Sequence, residues 1–189
     1  QTRPGRSAGF VPGAVSAASG DRGRRMPHQH RFFISRPAEI GSETALPPDE
    51  AHHALHVLRI RTGDRAVLFD GQGNLYHAAV ARASRRDVIM TVESSDHAPP
   101  PSTHVALVQA ALHREQSMEE LIRHCTALGA AQFHFFTAAR SERPARVREK
   151  WRRLAVETCK QCGRLWLPDI QAAESLESAL ENLEGPLCI

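Results

Sequence analysis

The chain has 189 residues, 41% of them hydrophobic and 24% charged, enough apolar material for one large or two small globular domains. No run of about 18 apolar residues occurs, which leaves a transmembrane helix unsupported. The net charge of +3 and the pI near 8.9 favour an anionic partner only mildly, and the excess does not by itself establish RNA binding. Four cysteines, Cys125, Cys159, Cys162 and Cys188, occur without a secretory apolar segment and read as reduced thiols of a cytosolic protein.

Residues 1–25 are rich in Gly, Ala, Ser, Pro and Arg, with Asp21 the one acid, and show no apolar periodicity. A segment of that kind cannot bury enough surface to fold, so a disordered leader is expected. Met26 stands just before the patterned part of the chain, so 1–25 reads as upstream or incomplete sequence, with a basic, acid-poor transit peptide as the rival.

Residues 26–95 then read as a small β-rich domain. Strands are expected at Arg31 to Ile34, Arg65 to Phe69, Leu75 to Ala83 and Asp87 to Glu93, with a helical turn or two over Pro48 to Leu58. Asp70-Gly71-Gln72-Gly73 supplies the glycines a tight hairpin turn needs, and Ser84 to Arg86 makes a second polar connection. Residues 96–102, with Pro99, Pro100 and Pro101 in succession, read as a linker, because three prolines cannot sit inside a sheet.

From 103 to 189 the pattern alternates strand and helix, the mark of an α/β domain with a largely parallel sheet. After a strand over His104 to Ala111, Met118, Leu121, Ile122, Cys125 and Leu128 form one apolar face of a helix that Gly129 ends. A strand follows at Ala131 to Ala138, and Arg143-Pro144 is placed to open a second helix. The second helix carries its stripe on Trp151, Leu154, Ala155, Thr158 and Cys162, and Gly163 caps it. A helix near Ser175 to Asn182 and a last strand at Pro186 to Ile189 complete the series.

His53 to Arg59 (HALHVLR), Gly63-Asp64, Phe69-Asp70-Gly71, Met118-Glu119, Leu128-Gly129, Arg140-Ser141 and Gln161 to Arg164 (QCGR) occur here in one order. In that order they resemble the RsmE-type rRNA uridine N3-methyltransferases, SPOUT-class enzymes that use S-adenosylmethionine. His124 and Ala127 depart from the family pattern, where a lysine and a glutamate are common. The resemblance implies a PUA-like β-barrel that binds RNA, followed by part of a SPOUT α/β domain. It also implies methylation of N3 of a uridine in 16S rRNA of the small ribosomal subunit, a cytoplasmic location and a homodimer. In the family, glycine-rich and arginine-containing loops tied into a trefoil knot follow the last strand and cradle the methyl donor. Nothing here corresponds to them, so the chain is expected to be C-terminally truncated, with only Leu187 and Ile189 at the edge of the donor pocket. A non-catalytic RNA-binding module is the alternative reading.

The candidate RNA contacts are Arg31, Phe32, His53, Arg59 and Arg61 on the barrel side and Arg114, Arg140 and Arg164 on the α/β side. Guanidinium groups pair with phosphates, and aromatic faces stack on splayed bases. Arg164, just past a helix end, also fits a helix-dipole role. The run Arg143, Arg146, Arg148, Lys150, Arg152 and Arg153 is diluted by Glu142 and Glu149 and reads first as a solvated face. No catalytic base is assigned. Cys159 and Cys162 have CxxC spacing without a second paired motif, and His52, His53 and His56 lack an accompanying carboxylate, so no metal site is expected.

Overall fold

The structure, a computed structural model, describes residues 29–141, 144–181 and 183. Strands β1 (His30–Phe33), β2 (Glu43–Ala45), β3 (Arg65–Phe69), β4 (Asn74–Ala83) and β5 (Val88–His97) form a first sheet in the order β1-β3-β4-β5-β2. Alternation drives it: in β5 Val88, Met90 and Val92 are buried while Ile89 and Thr91 are half-buried. The strand runs on to His97, past the expected end at Glu93, where its residues become exposed on both faces and the burial pattern disappears.

The closed barrel is not what this sheet forms. β1 and β2 are its two edges and no ladder joins them. β2 has only three residues. Helix α1 (Pro48–His52) continues into a π-helical stretch, His53–Leu58, and Ala51 and Ala54 of that segment pack into the same core as Phe32, Leu46, Leu68 and Met90.

The second sheet is parallel, with β6 (Ala106–Ala110), β7 (Gln132–Phe136) and β8 (Asp169–Ala173) in that order. Helices α2 (Glu115–Leu128) and α3 (Glu149–Cys162) connect consecutive strands and pack on one face. Met118, Ile122, Trp151 and Ala155 meet Phe133, Phe135 and Ile170 there. Each such large side chain contributes about 1.5–3 kcal/mol by leaving water. Gly129 and Gly163 end the helices in the left-handed conformation, at φ 109° and 81°. The short helix α4 (Leu176–Leu180) is started by Ser175, whose hydroxyl accepts from the Ser178 N–H.

Several sequence expectations shift. Leu128, expected on the buried face of α2, is 87% exposed, because the buried row steps by four through Met118, Ile122 and Thr126. Cys162 is exposed and Cys159 takes its place inside. Helix α3 opens at Glu149, five residues after Pro144, and Arg143 lies outside the described residues. β2 and β8 carry too few large apolar residues to show a period. The expected strand at Pro186 to Ile189 lies outside the described residues.

Candidate nucleic-acid interface

The two sheets meet where the parallel strands begin. After Gly163 the chain Arg164 to Pro168 runs as a strap between α3 and β8. Its Leu165 carbonyl accepts from the Gly73 N–H at 3.0 Å, and its Leu167 N–H donates to the Gly71 carbonyl at 3.0 Å, with Gln72 and Trp166 bridged between them. Asp70, 4% exposed, shapes the facing loop by accepting from the backbone of Gln72 and Asn74, from Asn74 Nδ2 and from the Tyr76 hydroxyl. The glycines are demanded twice over. Both have positive φ, and an added Cβ would come within 2.5 Å of Leu167 at Gly71 and 2.6 Å of Trp166 at Gly73. Trp166 Nε1 donates to the Ala98 carbonyl at 3.1 Å, and Lys160 of α3 pairs with Glu50 of α1 at 2.9 Å, both side chains about nine-tenths buried. Burial raises the Glu50 carboxyl above the usual range, and Lys160 opposes the rise.

Arg164 belongs to this closed edge. Its Nη1 donates to the Thr126 carbonyl at 2.6 Å and to the Ala130 carbonyl at 2.9 Å, tying the end of α2 and the approach to β7 to the strap. Its charge complements the C-terminal end of α2, not of its own helix. The structural role, one of the two readings the sequence offered for Arg164, thus accounts for its Nη1.

Where the parallel strands end, the surface is open and basic. A cavity of about 810 Å³ is lined by Leu112 and His113 after β6, by Arg140 and Ser141 after β7, and by Arg146, Arg148 and Trp151 before and within α3. Ligands of open α/β sheets characteristically sit at this edge. Arg148 pairs with Glu115 at 2.9 Å, and Lys150 pairs with Glu119, so part of the basic run is neutralised by α2. Arg140 and Arg146 make no ion pair among the described residues. Arg114 is exposed at the N-cap of α2, at the same edge. A smaller cavity of about 540 Å³ shares Pro144, Ala145 and Arg146 and adds His134, Gln171, Glu174, Ser178 and Glu181.

The candidates of the first sheet divide differently. Phe32 is fully buried in its core and cannot stack on a base; strand alternation points it inward, and this corrects the sequence expectation. Arg31, its neighbour on β1, points the other way to the closed edge, with Nη1 3.6 Å from where a Gly163 side chain would begin. His53 is half-buried, and Arg59 and Arg61 are exposed. Arg59 ends the π-helical stretch at φ 55°, a left-handed position normally given to glycine that costs an ordinary residue about 1 kcal/mol. Helix α3 has 14 residues, so its two ends, and with them the two edges, lie about 20 Å apart. The eight candidate contacts are thus not one cluster: Arg31 and Arg164 sit at one edge of the parallel sheet, Arg114 and Arg140 at the other.

Residues 99–188 match the model of an RNA methyltransferase domain, and residues 46–93 match that of an RNA methyltransferase PUA domain. A curated relative, ribosomal RNA small subunit methyltransferase E of Synechocystis, is 28% identical over 161 residues, covering 83% of this chain and 52% of its own. The enzyme of the same name from Mycobacterium bovis is 30% identical over 158 residues, covering 80% and 60%. In both matched domains the chain is similar to the RsmE-type RNA methyltransferases. It spans a little over half the length of these relatives. A solved ribosomal RNA small subunit methyltransferase E from Neisseria gonorrhoeae, bound to S-adenosyl methionine, shares the fold with a TM-score of 0.71 at 21% identity, over 83% of this chain and 66% of that one.

Two motifs of this chain acquire a physical meaning that sequence reading missed. Phe69-Asp70-Gly71 and Gln161 to Arg164 are not separate signatures, since the loop opened by the first receives the strap that follows the second. The Cys159 thiol is pushed up to about 12 by burial, which keeps it protonated at neutral pH. Two glycines facing a Leu-Trp-Leu run were the available signal for the joint.

Proposed function

We propose that this protein transfers a methyl group from S-adenosylmethionine to N3 of a uridine in 16S rRNA of the small ribosomal subunit. It works in the cytoplasm as a homodimer through a SPOUT domain whose knot cradles the donor. The observation that carries this reading is the open basic cleft at the carboxyl ends of a parallel sheet in an RNA methyltransferase domain. Arg140 and Arg146 hold phosphates there, with Arg114 beside them; Arg59, Arg61 and His53, exposed or half-exposed on the PUA-family sheet, take a more distant part of the RNA. Arg31 acts at the joint between the sheets.

The larger cleft carries arginines, a poor match for a donor with a sulfonium and an ammonium group. The smaller cavity offers both signs, with Glu174 and Glu181 beside Arg146, and fits a zwitterionic cation better. We place the amino-acid end of the donor there; Leu187 and Ile189, expected at the pocket edge, lie outside the described residues. When bound, the donor supplies an electrophilic methyl group on sulfur. The chain's own residues contribute placement: they hold the RNA backbone so that N3 of the uridine meets that methyl in line.

A second reading, which the arginine-lined larger cleft also fits, is that these 189 residues bind RNA without transferring a methyl group. Calorimetry with S-adenosylmethionine, and methyl transfer to 16S rRNA followed by mass mapping of the modified nucleotide, test both. They are run on this chain and on the whole product of its gene. Modification at uridine N3 is the expected result; donor binding by neither protein would overturn the methyltransferase reading.

A further inference from the structure

The joint between the sheets is built more closely than a tether requires. It combines a two-bond backbone ladder, two glycines that admit no side chain, an indole bonded across the seam to Ala98 and an ion pair about nine-tenths buried. A linker that only kept two modules together would need none of these. The joint also lies at the opposite edge of the parallel sheet from the basic cleft, about 20 Å away along α3. Exposed cations of the first sheet therefore reach RNA held in the cleft only at a fixed offset, and only if the joint does not rotate.

We propose that the strap Arg164 to Pro168, the Gly71–Gly73 loop and the Glu50–Lys160 pair are positioning elements that lock the two sheets into one rigid RNA-binding surface, so that a single RNA engages both. This rests on the reading of the protein as an RNA methyltransferase. Two half-sites held in register act with a high effective concentration, and two that swing freely lose that advantage. Because a buried ion pair adds little net stability yet discriminates strongly among arrangements, Glu50 and Lys160 serve register more than strength.

The test uses the 189-residue chain, 16S rRNA as the probe in filter binding at fixed ionic strength, and amide hydrogen exchange at Gly73 and Leu167. Glu50→Lys should open the joint. Exchange at both amides should rise at least tenfold, and RNA affinity should fall at least tenfold, although the added positive charge alone would raise it. The swapped variant Glu50→Lys/Lys160→Glu should close the joint again and restore affinity to within about threefold, with Glu157 beside position 160 weakening the exchanged pair without abolishing it. Gly71→Ala is the second route to an open joint, since the added methyl strikes Leu167 across the seam. It should lower affinity in the same way while the amides of β4 and β5 stay protected. Open joints with unchanged RNA affinity would overturn the inference and leave the methyltransferase reading standing. Absence of RNA binding by the unmodified chain would overturn both.

Discussion

The two edges of the parallel sheet carry arginines to opposite ends. Where the strands begin, Arg164 donates to two backbone carbonyls and is part of the architecture. Where they end, Arg140 is exposed at the rim of a cavity of about 810 Å³ and makes no ion pair among the described residues. The same residue type in matching motifs thus does unlike work, and what separates the two is whether acceptors of the protein itself are within reach. A basic residue near helix ends is readily absorbed by orphan carbonyls; one on a loop beyond a strand end has none.

The comparison breaks first at Asp70, on which the closed edge depends. Replacement by alanine leaves the backbone N–H groups of Gln72 and Asn74, Asn74 Nδ2 and the Tyr76 hydroxyl without their acceptor in a largely buried loop. The expected loss is about 3 kcal/mol in urea unfolding, with early loss of protection at Gly73. An unchanged midpoint would show that the loop is held from the strap side alone.

Next comes a matched pair. Arg164→Met should cost about 2 kcal/mol by removing charge-assisted bonds to Thr126 and Ala130, and should weaken RNA binding only through the loosened strap, leaving the salt slope unchanged. Arg140→Ala should change stability by less than about 0.5 kcal/mol, weaken 16S rRNA binding several-fold and reduce the salt slope by about one. Filter binding at several ionic strengths, set beside unfolding curves, separates the two. If Arg164→Met lowered the salt slope by about one and Arg140→Ala left it unchanged, the assignment of the edges would be reversed.

How much of this was legible in the sequence follows from what each feature depends on. Helices α2 and α3, with their glycine ends, could be read because periodicity and a left-handed cap are local properties. β4 and most of β5 were visible through alternation, β3 as a short apolar run ending at turn residues, and the parallel second sheet through the order of elements. β2 and β8 were not, since three residues or a single large apolar side chain, Ile170, leave no period to detect. Phe32 was misjudged, and the two readings of Arg164 stayed open, for a tertiary reason: which way a strand residue faces, and which carbonyls a guanidinium meets 38 residues away, are decided by packing. The pairing of the Asp70 loop with the strap is likewise non-local, and only the two glycines hinted at it.

The smallest expected effect concerns the cysteines near the closed edge. Cys162 is exposed and should react with a maleimide in the folded protein near pH 8, while Cys159, fully buried and with its thiol pushed up to about 12, should react only after unfolding. The pH dependence follows from the same shift. The folded value lies above the ordinary 9.0, so the contribution of Cys159 is fully present below pH 9 and is lost as pH rises through about 12. The difference in unfolding free energy between the unmodified chain and Cys159→Ala should therefore narrow across that alkaline window and be flat below it. Residue-resolved mass spectrometry of the labelled protein checks the first expectation, and paired urea titrations from pH 8 to about pH 11 check the second. Labelling of Cys159 at the rate of Cys162 in the native state would mean that the end of α3 frays. A fraying end would carry Gly163 and the strap with it, and the joint between the two sheets would then stand open part of the time.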